Sequence, residues 1–276
     1  MARTVSWLSS ISMLRTAQAR HHDDVRAVRG DLIDDRGKQA DDPMHVLEEL
    51  VPFRDELGNR IEFEGTVSPT AKVKVTFRGS GNRLIVARSA QIVDLAVDFS
   101  GDDSLVVIGE TTEKRAGLRF SMRIGHQCTV EIGRNVGAES RAFIRVSEGQ
   151  SVRIGEDCML ASKIEIRADD THAIYDVRTG RRSNPAQSVV VGDHVWLGKE
   201  VVVMGGVTIG DGSVVGFRSV VTRSLPNNCV AVGAPAKVVR RDVAWERPLL
   251  THRAPGIDGV PRGQRKSEKY WNLTQE

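Results

Sequence analysis

From residue 191 to residue 226 the chain repeats itself every six residues, and that period restricts the fold more than any other property of the sequence. An aliphatic residue opens each hexad: Val191, Leu197, Val203, Ile209, Val215 and Val221. Glycine follows the opener in four of the six, at Gly192, Gly198, Gly210 and Gly216. Four places after each opener stands a second apolar or small residue: Val195, Val201, Val207, Ser213, Ser219 and Leu225. A period of six fits neither a 3.6-residue helix nor an alternating strand; it belongs to a solenoid in which each coil repeats one cross-section. Each hexad then supplies a short strand and a sharp corner, and glycine tolerates the positive φ that such a corner can require. Stacked at the ~4.8 Å spacing of paired strands, like positions bury a continuous aliphatic column.

Looser copies of the pattern precede the regular ones. Ile108-Gly109, Ile124-Gly125, Ile132-Gly133 and Ile154-Gly155 repeat the opener and its glycine, and Ile154, Leu160 and Ile166 keep the six-residue step. This predicts one all-β solenoid over 62–241, with irregular early coils. A composition 40% hydrophobic but only 5% aromatic suits an interior of Val and Ile. Residues 1–61 mix acidic and basic residues with few apolar anchors. The spacing of Leu8, Ile11 and Leu14 and the text of 45–50 predict short helices there, in a helical or disordered extension. Residues 242–276 form a polar, Pro-rich tail with isolated Trp245, Tyr270 and Trp271, which is disordered, packs on the surface or caps the open end.

A net charge of +3 falls well short of a nucleic-acid-binding footprint but favours an anionic cofactor or polymer. The three cysteines are odd in number and form no CxxC. Cys128 and Cys158 each stand four places after an opener (Ile124 and Ile154), which marks them as inward filler. No apolar run approaches the ~20 residues of a membrane span, and residues 1–20 lack a sustained signal core. A cytoplasmic protein is expected.

One long interruption breaks the repeat, at 168–189. It carries His172 among Asp169, Asp170 and Asp176, together with Tyr175, Arg178, Arg181, Arg182 and Asn184. Long excursions from a repeat scaffold are often functional. A neighbouring carboxylate can fix an imidazole's tautomer, and histidine can accept a hydroxyl proton near neutral pH. The arginines could hold an acidic polysaccharide or pair with the loop's own aspartates. His21 and His22 have no companion ligands and receive no role.

The hexads resemble those of the left-handed parallel β-helix acyltransferases of the hexapeptide-repeat family. The texts Asp-x-His-x-x-Tyr-Asp, Thr-Gly-Arg-Arg-x-Asn-Pro and Gly-Asp-His-Val-Trp-Leu-Gly look most like those of bacterial polysaccharide O-acetyltransferases, including the polysialic-acid capsule enzymes. The left-handed sense is implied by that resemblance alone. So is the role of His172 as catalytic base, and the place of Trp196 across the cleft, where it would stack on the sugar or acetyl group or point its indole N–H at the oxyanion. The resemblance further implies acetyl-CoA as donor, with Lys199, Phe217, Thr222, Arg223, Lys237 and Arg240 on donor-contacting positions. Lining the interruption, Tyr175, Arg181 and Asn184 are the residues expected on the acceptor side. The resemblance also implies a homotrimer with sites between subunits, a carbohydrate acceptor, no metal and no nucleic-acid partner. Rival readings are a small sugar or xenobiotic acceptor, a γ-carbonic-anhydrase-like zinc site drawing on His126, His172 and His194, and a non-catalytic scaffold.

Overall fold

The computed structural model describes residues 44–112, 117–247 and 268–275. Leu8, Ile11, Leu14, His21 and His22 lie outside them. Among the described residues the strands assemble into three sheets, of eight, six and eight strands, and none of these residues is α-helical. The sheets are the sides of a prism. The first side runs from His45–Leu47 to Val220–Val221, the second from Phe53–Arg54 to Thr208–Ile209, and the third from Gly137–Ala138 to Ala236–Arg240. Pairing is parallel along the stack, with antiparallel partners at its ends, such as His45–Leu47 on Lys72–Phe77 and Val230–Gly233 on Ala236–Arg240.

The register measures each coil. Phe143 pairs with Glu165, a step of 22, whereas Trp196 pairs with Val214 and Val202 with Val220, steps of 18. Eighteen is three hexads, so the regular text is the part in which every side has one short strand. Before Gly137 the third side carries no strand, and the coils are correspondingly longer and irregular. Between Glu165 and Val202 the step is 37, which is 19 residues beyond a regular coil. The extra length leaves at the corner between the first and second sides, after Glu165–Arg167 and before Val189–Val191.

All six openers are buried, as are the six residues four places after them. Early coils vary the filling: Phe53, Phe77 and Phe99 stack with ring centroids 5.8 and 5.1 Å apart. Asn59, Asn82 and Ser104 form a buried ladder at the corner, Asn82 N donating to Asn59 Oδ1 at 3.0 Å and Ser104 N to Asn82 Oδ1 at 3.1 Å. The three cysteines are buried inward filler, and burial pushes the Cys158 thiol up to about 12.

Three expectations change. The text at 45–50 is not helical; His45–Leu47 is a strand paired with Lys72–Phe77. Val46 and Leu47 satisfy their backbone on the sheet, which outweighs a weak helical periodicity. The boundary expected at 61/62 cuts the strand Arg60–Glu62. The glycine after each opener is also not the positive-φ residue. That conformation falls two places later, at His194 (φ 52°), Glu200 (62°), Gly206 (78°), Gly212 (68°) and Arg218 (56°). The earlier glycine is needed because the next coil is too close: a Cβ on Gly155 would lie 2.6 Å from the carbonyl carbon of Gly192.

Candidate functional site

The 19 extra residues form an ordered arm. Tyr175 and Arg182 make an antiparallel bridge, Asp176 N donates to Arg181 O at 2.8 Å, and Ser183 N donates to Ile174 O at 2.8 Å. Arg182 pairs with Glu148 of the preceding coil at 2.6 Å, and Ala186 N donates to the same carboxylate at 3.1 Å. The guanidinium and that amide hold the Glu148 carboxyl below its usual range. Gln187 N closes the arm on Ala168 O at 2.8 Å.

The aspartates flanking His172 in sequence serve the arm rather than the imidazole. Asp169 is buried; its Oδ1 accepts from Arg145 Nε at 2.8 Å and from Thr171 N at 2.8 Å. Asp170 Oδ2 accepts from Asn184 Nδ2 at 3.0 Å. Asp176 accepts from the backbone amides of Thr179 and Arg178 and from the Thr179 hydroxyl, which together hold its carboxyl below the usual range. Asn184, expected at the acceptor, is a brace: its Oδ1 accepts from Ile174 N at 2.7 Å, and its Nδ2 also donates to His172 O at 2.9 Å. Arg182 and Ser183 are taken up similarly.

What the arm leaves free is therefore specific. Among the described residues, the side chains of His172, Tyr175, Arg178 and Arg181 meet no hydrogen-bonding partner, and all four are exposed. Thr171, immediately before His172, has φ of 72°. A β-branched residue there is strained, and such strain persists only where the surroundings impose it. The arm thus clamps the His172 backbone and presents its ring to solvent. Ile174, Tyr175 and Val177 add an exposed apolar tip, Val177 at 97% exposure.

Trp196 stands elsewhere, half-buried on the third side between Met159 and Val214. Its ring lies 5.8 Å from Trp245, tilted by 47°. Lys199 and the 70%-exposed Phe217 share the corner between the third and first sides, on successive coils. Thr222 and Arg223 lie on the corner from which the arm leaves, and Lys237 and Arg240 on the terminal hairpin. Among the described residues the cationic groups of Lys199, Arg223, Lys237 and Arg240 meet no acid. The neighbouring Arg218 and Lys163, in contrast, both pair with Glu200, at 2.7 and 3.4 Å. Within one chain, then, the structure gathers His172, Tyr175, Arg181 and Asn184 on one arm. Trp196, Lys199 and Phe217 stand across the prism, about six extended residues or roughly 20 Å per side.

The second ordered feature is a clasp made by the tail, which packs on the surface, one of the alternatives the sequence left open; the part of His194 in it was not foreseen. Residues 243–247 and 268–275 run along the corner between the second and third sides. Val243 N donates to Asn228 O at 3.0 Å, and Arg247 reaches Asp157 Oδ1 at 3.0 Å and Asn135 O at 3.3 Å. At the centre, His194 is buried between two rings, Trp245 at 4.1 Å and Tyr270 at 4.4 Å, both nearly parallel to it. His194 Nδ1 faces Asp157 Oδ2 at 2.6 Å and Nε2 faces Trp245 O at 3.0 Å. Both partners can only accept, so both bonds form only when each ring nitrogen carries a hydrogen. Burial alone would raise the Asp157 carboxyl, but the His194 ring and Arg247 outweigh it and hold it below the usual range. Trp245 and Tyr270, isolated aromatics in polar text, were the available signal.

The three histidines of the zinc reading stand apart within the chain. Both nitrogens of His194 are engaged, His126 Nδ1 lies 3.7 Å from Asp102, and His172 is on the arm. No group of three His, Cys, Asp or Glu gathers among the described residues. Nor is any helix among them long and apolar enough to cross a membrane.

Residues 188–223 match the family model for the bacterial transferase hexapeptide (six repeats). The chain is 32% identical over 185 residues to a polysialic acid O-acetyltransferase of Neisseria meningitidis, covering 67% of this chain and 84% of that protein. It is 34% identical over 124 residues to the polysialic acid O-acetyltransferase of Escherichia coli O1:K1 / APEC, but spans only 38% of that protein's length, with 45% of this chain covered. Among solved structures, the polysialic acid O-acetyltransferase OatWY is similar with a TM-score of 0.54 and 26% identity, over 70% of this chain and 94% of that one.

Proposed function

The chain belongs to the hexapeptide-repeat acyltransferases, near the polysialic acid O-acetyltransferases, and from that premise we propose that it acetylates a hydroxyl of a bacterial surface polysaccharide, using acetyl-CoA and His172 as general base. The observation that carries the reading is the arm's division of labour. Its aspartates, Asn184 and Arg182 fix the backbone, while the imidazole of His172 stays free at a strained turn. His172 takes the proton from the acceptor hydroxyl as its oxygen attacks the thioester carbonyl. The tetrahedral oxyanion is held by a backbone N–H or by the indole of Trp196. Collapse breaks the carbon–sulfur bond, and the departing thiolate takes the proton from His172. Most of the acceleration comes from placing two bound substrates and stabilising the oxyanion.

Lys199, Arg223, Lys237 and Arg240 suit the phosphates of the donor, because cations that meet no acid among the described residues are available to an anionic ligand. Phe217 and Thr222 would line the pantetheine path. Tyr175 and Arg181 suit an acidic acceptor, and the polymer reading rests on those exposed groups together with the relatives. The separation of His172 from Trp196, Lys199 and Phe217 on one prism favours a site shared by two chains of a homotrimer, the arm of one meeting the opposite corner of the next. A cytoplasmic location, where acetyl-CoA is available, belongs to the same reading.

The test is turnover. Purified protein is incubated with acetyl-CoA and a panel of acidic and neutral glycans, and free thiol is followed. His172→Ala should lower kcat by ~10²–10⁴-fold, with acetyl-CoA binding retained in a thermal-shift assay. Activity within a few-fold of the parent would remove His172 from the mechanism. No stabilisation by millimolar acetyl-CoA would favour a non-catalytic scaffold.

A further inference from the structure

Trp196 does not stand alone on its side of the prism. Against it leans Trp245, 5.8 Å between ring centroids, and Trp245 is itself anchored to the solenoid. Its indole Nε1 donates to His194 O at 2.8 Å, its own carbonyl accepts from His194 Nε2 at 3.0 Å, and its ring stacks on that histidine at 4.1 Å. Tyr270 closes the opposite face of the same imidazole. The return segment is pinned in turn. Tyr270 O accepts from Asn228 Nδ2 at 2.5 Å, Lys269 pairs with Glu156, and Thr274 Oγ1 donates to Asn228 O at 2.9 Å.

We infer that the C-terminal segment is a working part of the site, with Trp245 as the positioning residue that sets the orientation of the Trp196 indole. This rests on the reading above that Trp196 lines the acceptor and acyl cleft. The physical argument is one of anchorage. Trp196 lies on a two-residue strand, Trp196–Leu197, whose backbone is held by the ladder but whose half-exposed side chain has outward-facing Met159 and Val214 as its ladder neighbours. Those aliphatic neighbours do not select one tilt for an indole. An aromatic partner at an offset, tilted geometry does, because the ring quadrupoles favour it. Trp245 can impose that tilt because its own three attachments lead to His194, a corner residue of the solenoid itself. A substrate group stacked on Trp196, or an oxyanion met by its indole N–H, would then meet a ring already oriented, which lowers the ordering cost of binding. A tail serving only to cap the stack would need His194 covered, but would not need a ring turned toward Trp196.

The experiment separates the two cases. In a Trp7→Phe/Trp271→Phe background, Trp245→Phe and Trp245→Ala each leave Trp196 as the sole tryptophan. Trp245→Ala should raise acrylamide quenching of Trp196 and lower kcat, or raise acceptor KM, by roughly two- to tenfold, the value of one aromatic pair. Acetyl-CoA KM should stay unchanged. Trp245→Phe, which keeps a ring beside Trp196, should recover most of both signals. Tyr270→Leu loosens the clasp from its far side and should give the same direction of change if Trp245→Ala does not fold. Equal quenching and equal acceptor kinetics in the Phe and Ala variants, at equal thermal midpoints, would overturn the inference. If the parent protein shows no acetyl transfer at all, the proposed activity fails, and the quenching series still decides whether Trp245 orders Trp196.

Discussion

Asn184 offers the sharpest test of how the arm works, because its two assignments predict different kinetics. As a brace its side chain makes three short bonds, Oδ1 from Ile174 N at 2.7 Å and Nδ2 to Asp170 Oδ2 at 3.0 Å and to His172 O at 2.9 Å, and Oδ1 accepts a longer fourth from Arg182 Nε at 3.4 Å. At a partly exposed site each is worth the lower part of the usual range, so Asn184→Ala should loosen the arm by about 2 kcal/mol in total. If His172 is productive only in the braced arm, 2 kcal/mol corresponds to about a 30-fold fall in kcat. The cost is local, since the arm lies outside the strand ladder, and the thermal midpoint of the solenoid should hardly move. Asn184→Asp should be no better than Ala. It keeps the acceptor for Ile174 N–H but sets a second carboxylate oxygen against Asp170 and the His172 carbonyl. The assay is thiol release at saturating acetyl-CoA with acceptor varied. A loss confined to acceptor KM would make Asn184 a substrate contact, and activity within twofold of the parent would refute the brace altogether.

Two further outcomes follow from the stack and its clasp. Gly155→Ala forces a Cβ to 2.6 Å from the Gly192 carbonyl carbon and should cost about 1–3 kcal/mol, roughly 3–10 °C in thermal midpoint. Gly149→Ala, with φ of 70° but nothing within 4 Å, should cost only about 1 kcal/mol; equal losses would contradict the close-approach account. The tail should also release in acid. Lys269 holds the Glu156 carboxyl low, and the His194 ring with Arg247 holds Asp157 low against its burial. Depressed folded-state values mean that their stabilisation is complete above the unfolded carboxylate range of about 4 and is lost as pH falls below it. Limited proteolysis across pH 3–6, which reads tail release, should show the tail becoming susceptible only below about pH 4, and Asp157→Asn should make it susceptible throughout.

The regular hexads were sufficient for the architecture. A strict six-residue period leaves one geometry in which every opener is buried, and all six are. The arm was legible as a gap in that period, and His172 as its lone imidazole, because a repeat makes departures from itself visible. Which polar groups of the arm stay free was not legible. Asp169, Asp170 and Asp176 look equivalent beside His172 in sequence, yet each is claimed by a backbone or side-chain partner that only the folded turn brings near. The same holds for the corner glycines, whose role follows from the distance to the next coil, a quantity no single hexad contains. The clasp is the extreme case: His194 occupies an ordinary corner position in the repeat, and its partners Trp245 and Tyr270 lie 51 and 76 residues further along the chain. Periodicity encodes contacts between equivalent positions, so the sequence alone determined the stack. Contacts between the stack and non-repeating text have no period to announce them, and tertiary structure alone decided those.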